Sequence, residues 1–351
     1  MGQGYARGLR GLALASAVSL LFSGAAIAGT EDFIEGVTAY TRGEYDTAMR
    51  LLTPLAEQGN AVAQYDIGTM YYKGRGVEQD YAAAAGWYMA AAESGHAPAE
   101  ANLGRMYAAG YGVERNYRLA VTWFTKAAER GNAGAQAELG KMYYEGLGVD
   151  QDYKLALKWF TQAAERGDAA AQAGLGAMYF GGHGVAQDFA LAVKWFTEAA
   201  EQGDAEAQFN LGRLYDNGDG VAQDYRSAAK WYAKAAEQGN AAAQNSLGVL
   251  FEKGHGVTQD YKWAARWYAA AAKQGDALAQ FNMGNLYYNG LGVLQDYKRA
   301  HMWLNLAATQ GIGGAAASRN AVEGKMSISQ IETAQAMAQR CLGSNYRQCD
   351  D

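Results

Sequence analysis

The chain has 351 residues, of which 50% are hydrophobic and 19% are charged, a composition that excludes a disordered protein and allows one large core or a long repeat array. Its formal net charge at pH 7 is −6. A general nucleic-acid-binding protein needs a basic surface to displace counterions from phosphates, so this charge argues against such a partner.

The first 28 residues have the pattern of a secretory signal peptide. Arg7 and Arg10 precede an apolar run over residues 12–22, and the small-residue motif A-I-A ends at Ala28. The apolar run is shorter than the roughly 20 residues that a membrane-spanning helix needs, so an uncleaved anchor is the weaker alternative. We expect an exported protein, periplasmic or secreted, with no transmembrane segment in the mature chain.

Residues 29–58 are predicted to form an N-terminal cap. The stretch YTRGEYDTAMRLLTPLAEQG resembles a tetratricopeptide-type unit, but Leu51 stands where the later repeats have tryptophan, and their glycine–valine loop is missing. Terminal units of a repeat array are commonly atypical in this way.

Residues 59–310 comprise seven repeats of 36 residues. Glycine returns at this interval at Gly59, Gly95, Gly131, Gly167, Gly203, Gly239, Gly275 and Gly311. A fixed period in this range is typical of a solenoid, in which each repeat buries its apolar face against its neighbours.

Each repeat begins with a predicted helix, here called helix A. In the third repeat its motif consists of Leu139, Gly140 and Tyr143, and the glycines Gly146 and Gly148 follow. The first of this pair is expected to end the helix with a positive φ. A glycine inside a helix costs about 1 kcal/mol against alanine, so we expect a neighbouring helix backbone to approach Gly140 closely.

The second helix, helix B, begins after an Asp or Asn that can cap it, such as Asp152. Tyr153, Ala156 and Trp159 then fall on one face at helical spacing. The equivalent tryptophans are expected to fill the space between successive repeats: Trp87, Trp123, Trp159, Trp195, Trp231, Trp267 and Trp303.

The Leu-Gly-x-x-Tyr of helix A, the G-x-G-V-x-Q-D-Y loop and the Ala-x-x-Trp of helix B resemble Sel1-like repeats, which are relatives of tetratricopeptide repeats. The resemblance covers residues 59–310 and implies an all-α fold, a right-handed α/α superhelical solenoid of helix-turn-helix repeats. It also implies a non-catalytic scaffold that binds a protein or an extended peptide in an inner groove, with no cofactor. In residues 311–351, KMSISQIETAQAMAQRC resembles the closing helix of these proteins, with Ser327 or Ser329 as its cap.

In the related repeats the inner groove is lined by helix-A positions outside the packing motif, and in this chain those positions differ between repeats. The predicted partner-binding residues are Tyr65, Tyr72, Arg105, Lys141, Tyr144, Phe180, Phe209, Asn210, Arg213, Asn245, Phe281, Asn282, Asn285 and Tyr288. Aromatic rings and Arg are common interface hot spots, and asparagine amides can pair with an extended backbone. The alternative is that these residues only cover helix A and contact the next repeat.

The fourth repeat has small residues beside Phe180 and is expected to offer a bare patch for an apolar side chain of the ligand. These small residues are Ala170, Ala173, Gly174, Ala177 and Gly181.

Helix B carries basic residues on its outer side: Lys154, Lys158, Lys194, Arg226, Lys230, Lys262, Arg266 and Lys298. They form either a solvated surface or a contact with anionic envelope polymers or lipids.

Cys341 and Cys349 are expected to form a disulfide in an oxidising compartment, with two free thiols as the alternative. No Cys or His lies at ligand spacing from the four histidines, so no metal site is predicted.

The resemblance also implies an enzyme alternative, because some cysteine-rich exported Sel1-like proteins have been described as β-lactamases. Ser227 and Lys230 form an S-x-x-K string, but no S-D-N or K-T-G follows, and the repeated cysteine pairs of that subgroup are missing. We predict no catalytic residues.

Exported Sel1-like proteins act as envelope regulators, assembly scaffolds or host-protein binders. The sequence does not choose among these roles: an envelope regulator or assembly adaptor is one expectation, and a secreted host-protein binder is the alternative. The sequence leaves the oligomeric state open.

Overall fold

The computed structural model describes residues 29–349, and all regular elements within this range are α-helices. This confirms the predicted all-α repeat architecture. The predicted leader, residues 1–28, lies outside the described residues. The chain divides between Arg166 and Gly167 into two compact units, in which helices adjacent along the chain pack against one another.

The first unit contains the N-terminal cap and the first three repeats. Its helices are α1 (residues 29–42), α2 (Tyr45–Glu57), α3 (Ala61–Lys73), α4 (Tyr81–Glu93), α5 (Ala97–Ala109), α6 (Tyr117–Glu129), α7 (Ala133–Glu145) and α8 (Tyr153–Ala164). From α3 onward, helix A and helix B alternate.

The second unit contains the last four repeats and the C-terminal helices. Its helices are α9 (Ala169–Gly181), α10 (Phe189–Glu201), α11 (Ala205–Asn217), α12 (Tyr225–Glu237), α13 (Ala241–Lys253), α14 (Tyr261–Ala272), α15 (Ala277–Asn289), α16 (Tyr297–Thr309), α17 (Ala315–Glu323) and α18 (Ile328–Gly343). Ser327 caps α18 in a capping box with Gln330. Cys341 and Cys349 form a disulfide with their Cα atoms 4.5 Å apart.

Helix B begins at its Asp or Asn cap, as predicted. Asp152 Oδ1 accepts hydrogen bonds from the N–H groups of Lys154 and Leu155 at 2.9 and 3.0 Å. Helix A is capped in the same way, a feature that the sequence analysis missed: Asn132 Oδ1 accepts from the N–H of Ala135 at 2.9 Å. Short polar side chains therefore fix where both helices of a repeat start.

The two loop glycines have different tasks. Gly146 has a φ of 71° and ends α7, with its N–H bonded to the carbonyl of Met142. Gly148 also has a positive φ, 73°, and a Cβ added there would lie 2.5 Å from the carbonyl carbon and oxygen of Tyr117. Only glycine lets this loop rest directly on the first turn of the preceding helix B.

In six of the seven repeats the expectation for the glycine inside helix A is wrong, because its neighbour is an aromatic ring and not a helix backbone. Gly284 of the seventh repeat instead faces Leu304 and the backbone carbonyl of Ala300. A Cβ on Gly140 would lie 2.7 Å from Cδ1 of Phe160, and one on Gly104 would lie 2.7 Å from Cδ1 of Phe124. The ring belongs to the residue after the helix-B tryptophan: Tyr88, Phe124, Phe160, Phe196, Tyr232 or Tyr268. The volume of this ring excludes a methyl group on helix A.

The tryptophans pack between successive repeats, as expected, since Trp123 and Trp231 each lie in a cluster formed by helix B of the preceding repeat and helix A of their own repeat. Trp123 contacts the cluster containing Leu103 and Met106, and Trp231 contacts the cluster containing Phe196 and Leu211. Trp231 is only 9% exposed. Burial of these large rings joins successive repeats within each unit.

A buried glutamine on helix A also joins neighbouring repeats. In the second unit, Gln208 Nε2 donates to the carbonyl of Ala200 at 3.0 Å, and its Oε1 accepts from Gln238 Nε2 at 2.8 Å. In the first unit, Glu100 holds the equivalent place and pairs with Arg130 at 3.3 Å. These contacts pair both ends of the Gln208 amide, whereas Oε2 of Glu100 is buried without a hydrogen-bond partner among the described residues.

Candidate peptide-binding site on helix A

A pocket of about 290 Å³ lies between α3, α4 and α5 of the first unit. Its lining consists of Tyr65, Thr69, Tyr72, Lys73, Tyr88, Asn102 and Arg105. Three of these, Tyr65, Tyr72 and Arg105, belong to the predicted partner-binding set. Predicted partner-binding residues of two consecutive repeats therefore line the same pocket.

Aromatic rings form the wall of the pocket. The centroids of Tyr65 and Tyr72 lie 5.7 and 6.5 Å from that of Tyr88. Tyr72 also meets Tyr81 edge-on at 5.2 Å, and Tyr65 lies 4.9 Å from the His96 ring. Such contacts hold the rings in place before any ligand arrives, which lowers the entropy cost of binding.

The floor of the pocket carries a buried hydroxyl. Tyr88 is 1% exposed, and its hydroxyl lies 3.0 Å from Oγ1 of Thr69. Because Thr69 donates its own proton to the carbonyl of Tyr65, Tyr88 is the donor in this bond. Burial raises the pKa of Tyr88 to about 12, so the hydroxyl stays neutral at physiological pH.

Two cations lie on the rim, Lys73 and Arg105. Arg105 is exposed, with Nη1 donating to Oδ1 of Asn102 at 3.1 Å and Nε lying 3.6 Å from Oε1 of Glu138. A guanidinium has five N–H donors, so these contacts leave others for a ligand. The pocket can therefore hold an apolar side chain and pair with an adjacent carboxylate or carbonyl.

In the second unit, an arginine lies between two of the predicted aromatic residues. The guanidinium carbon of Arg213 is 5.2 Å from the centroid of Phe180 and 5.8 Å from that of Phe209. Phe209 lies in turn 5.9 Å from the Tyr232 ring. This stack combines phenylalanine and arginine, two residue types that are enriched at protein interfaces.

The predicted bare patch beside Phe180 is not bare. Arg213 covers the Phe180 ring, and a Cβ added to Gly181 would lie 2.7 Å from Cε1 of His183. The longer side chains of Arg213 and His183 occupy the space beside the small residues. The sequence pattern of helix A alone does not show this.

The predicted asparagines are used inside the protein. Asn282 donates to Oδ1 of Asn245 at 3.0 Å, which joins two repeats, and Asn210 donates to the carbonyl of Glu206 in its own helix at 3.0 Å. Asn285 is partly buried on α15. For Asn210, Asn245 and Asn282, these contacts agree with the alternative interpretation, in which the helix-A residues have a structural role.

The other predicted residues separate into packed and exposed ones. Phe281 and Tyr288 pack against the cluster of Ala300, Leu304 and Val322. In the first unit, Tyr144 meets Tyr153 edge-on at 5.3 Å, whereas Lys141 is exposed. The described structure thus gathers Tyr65, Tyr72 and Arg105 in one place, and Phe180, Phe209 and Arg213 in another.

The S-x-x-K pair contacts residues of its own helix and the cap of that helix. Ser227 Oγ donates to Oδ2 of Asp224, the cap of α12, at 2.6 Å, and this bond lowers the pKa of Asp224. The ammonium of Lys230 lies 5.8 Å from the Trp231 ring.

A family model described as Sel1 repeat matches seven consecutive segments, each beginning with a helix A: residues 61–96, 97–132, 133–168, 169–204, 205–240, 241–276 and 277–312. The chain belongs to the Sel1-repeat family. Sel1 repeats generally form non-catalytic scaffolds suited to protein–protein interaction.

Two solved Sel1-repeat proteins are similar to this chain. A protective antigen present in uropathogenic Escherichia coli strains, with an SLR fold, is 32% identical with a TM-score of 0.61, over 91% of this chain and 78% of its own. A Sel1 repeat protein from Oxalobacter formigenes is 37% identical with a TM-score of 0.64, over 68% of this chain and 96% of its own.

A curated relative matches over a short stretch. The ERAD-associated E3 ubiquitin-protein ligase component HRD3A of Arabidopsis thaliana is 41% identical over 64 residues, which are 18% of this Sel1-repeat chain and 9% of that protein. The chain thus spans under a tenth of this relative. Across residues 29–349, none of the helices has the length and apolar content to cross a bilayer.

Proposed function

We propose that this Sel1-repeat protein binds an extended segment of a partner protein on its helix-A side, with the Tyr65–Tyr72–Arg105 pocket as the main anchor. The segment would insert an apolar side chain between the tyrosines and place a carboxylate near Lys73 and Arg105. The chain itself carries out no reaction in this proposal and acts as an adaptor.

One observation carries the proposal: three residues predicted from two repeats line a single pocket together with a second cation. Pockets with apolar walls and a few convergent polar groups are the usual form of a recognition site. Tyrosine and arginine are also the residue types most enriched among interface hot spots. Within the second unit, the Phe180–Arg213–Phe209 stack is a separate candidate anchor.

The repeats provide variants that should fold normally. Tyr72→Ala installs the residue found at the equivalent Ala108, and Arg105→Ala installs the residue found at Ala177. A photo-crosslinking amino acid in place of Lys73, on the pocket rim, reports on occupancy in the cells that naturally express the protein. We expect a crosslinked protein whose yield falls at least about ten-fold in the Tyr72→Ala/Arg105→Ala chain.

The matched control is Arg118→Ala, which removes an exposed cation from helix B of the second repeat. It should leave the crosslinking yield unchanged. Equal yields from the pocket variant and the parent, at equal melting temperatures, would refute the proposal.

We also propose that the protein acts outside the cytoplasm, as an envelope regulator or assembly adaptor. The leader pattern of residues 1–28 and the Cys341–Cys349 disulfide support this location. The similarity to a protein described as a protective antigen is in keeping with it. N-terminal sequencing of the protein from fractionated cells tests it: the mature chain should begin at Gly29 in the periplasm or medium, and a cytoplasmic chain retaining Met1 would refute it.

A further inference from the structure

The second unit has another cleft, which contains none of the predicted helix-A groove residues. It lies between α12, α13 and α14 and has a volume of about 390 Å³. Leu247 and Phe251 of α13 and Val257 of the following loop line it, together with Trp263 and Trp267 of α14. The lining is predominantly apolar, and Arg226 and Lys230 of α12 stand at its edge.

Trp263 distinguishes this repeat from the others. The equivalent residues in the other six repeats are Ala83, Leu119, Leu155, Leu191, Ser227 and Arg299. Trp263 is 43% exposed and lies 6.0 Å from the Phe251 ring, nearly parallel to it. Trp267 supplies the between-repeat tryptophan, so the packing of the solenoid does not require a second one here. A partly exposed tryptophan beside an apolar cleft is typical of an interaction surface.

The charges around the cleft are mainly positive. Arg226, Lys230, Lys262 and Arg266 are exposed on α12 and α14, and none of the four forms an ion pair with another described residue. The guanidinium of Arg266 lies 4.6 Å from the Trp263 ring.

The acidic residues of α12, α14 and their caps are Asp224, Asp260 and Glu237, the last residue of α12. Asp224 accepts from the N–H of Arg226 and from Ser227, and Asp260 accepts from the N–H groups of Lys262 and Trp263. These three carboxylates offset part of the positive charge, but α12 and α14 carry five cations, including Lys234, so the region stays positive on a chain of net charge −6. The complementary ligand is anionic with an apolar part.

We propose that this α12–α14 cleft binds an acidic peptide segment of a protein partner. A phenylalanine- or leucine-sized side chain fills the space beside Trp263, Trp267 and Phe251, and flanking carboxylates pair with Arg226 and Lys230. An anionic membrane would also attract tryptophan and cationic side chains. Its headgroup layer is flat, however, so the concave shape of the cleft favours an inserted side chain. This surface is separate from the pocket at Tyr65 and Tyr72.

The probe for the test is a fluorescein-labelled octapeptide in which glutamates flank a central Phe-Leu pair, titrated against the full chain by fluorescence anisotropy. We expect saturable binding that weakens with added salt and falls at least about ten-fold in Trp263→Leu. Leucine occurs at three of the equivalent positions, so this variant should fold. A peptide with Ala-Ala in place of Phe-Leu should bind at least about ten-fold more weakly.

Charge is tested with a matched pair of variants. Arg226→Ala/Lys230→Thr installs residues found at the equivalent Ala82 and Thr122, and it should weaken binding. Lys154→Ala/Lys158→Thr removes the same charge from the same positions of the third repeat and should bind like the parent, because the repeat that follows has Leu191 at the position of Trp263. Tyr72→Ala/Arg105→Ala should also bind like the parent, which separates this cleft from the proposed groove.

Three results would overturn the proposal. The first is the absence of saturable binding of the acidic peptide up to about 1 mM. The second is equal peptide affinity of Trp263→Leu and the parent. The third is an equal loss of peptide affinity in Arg226→Ala/Lys230→Thr and Lys154→Ala/Lys158→Thr. A parallel sedimentation assay uses vesicles of equal parts phosphatidylcholine and phosphatidylglycerol. If the parent binds the vesicles but not the peptide, and Trp263→Leu abolishes the vesicle binding, the cleft binds a membrane surface instead.

Discussion

Glu252 and Tyr268 are joined by a hydrogen bond of 2.6 Å between Oε2 and the tyrosine hydroxyl. The Tyr268 ring is fully buried, so its hydroxyl needs a partner within the protein. Burial, reinforced by this carboxylate, raises the pKa of Tyr268. In the second repeat, the position of Glu252 is held by Ala108 and the ring is Phe124, which has no hydroxyl. In these two repeats, the helix-A residue matches the ring that it faces.

This relationship predicts a paired mutational effect. Glu252→Ala should lower the free energy of unfolding by about 1–3 kcal/mol, because it leaves the hydroxyl of Tyr268 without its partner. Glu252→Ala/Tyr268→Phe recreates the Ala108–Phe124 pair and should recover most of the loss. Urea denaturation followed by circular dichroism measures both. A double variant no more stable than the single one would show that the hydroxyl is not responsible.

Glycine inside helix A should be required by the ring opposite. Gly140→Ala places a methyl group 2.7 Å from Cδ1 of Phe160, and the forced repacking should destabilise the protein by about 1–3 kcal/mol. This loss should appear although alanine is the better helix former.

Gly86 provides the control in the same unit. It lies inside α4, and a Cβ added there would meet nothing within 4 Å. Gly86→Ala should therefore stabilise the protein by about 0.5–1 kcal/mol through its helix propensity alone. Thermal unfolding of both variants tests whether the ring is responsible. An equal loss of stability in Gly86→Ala would point to a backbone effect instead.

Most of the fold could be predicted from the sequence, because a strict 36-residue period multiplies every local signal. The helix-B caps, the positive φ at Gly146 and the packing of Trp231 follow from residue chemistry at fixed spacing. The neighbour of Gly140 could not be assigned in this way, since a small residue indicates close approach without saying whether a ring or a backbone approaches.

The candidate site was less predictable. Variation between repeats identified Tyr65, Tyr72 and Arg105, but the same variation also marks Asn245 and Asn282, which bond to each other. A comparison among the repeats could have identified some of the helix-A residues that have structural roles. The repeats with Tyr268 and Tyr232 on helix B are those with an acidic residue, Glu252 or Asp216, on helix A. Side-chain contacts between repeats depend on rotamers that the period does not specify.

The between-repeat tryptophans should be the most sensitive positions in the array. Trp231→Ala removes a ring that is 9% exposed and should cost about 3–5 kcal/mol. Trp263→Leu, which alters a ring that is 43% exposed, should cost about 1 kcal/mol or less. Urea midpoints of the two variants provide the comparison, and similar losses would contradict the distinction between the packing and the surface tryptophan.

Asp66 should make the stability of the first unit depend on pH. Burial raises the pKa of its carboxyl to about 6, above the value near 3.8 expected when the chain is unfolded. The folded protein therefore holds the proton more tightly than the unfolded chain. The resulting stability is fully present below about pH 4 and is lost as the pH rises through 6.

Asp66→Asn isolates this effect, because asparagine occurs at the equivalent Asn102, Asn210 and Asn282. After allowance for solvent screening of the partly exposed carboxylate, the variant should be more stable than the parent by about 1 kcal/mol above pH 6. The difference should shrink toward pH 4, where the aspartic acid is neutral. Urea denaturation of both chains across this range cancels the other titrating groups, so a difference that stays constant or grows toward pH 4 would contradict the raised pKa.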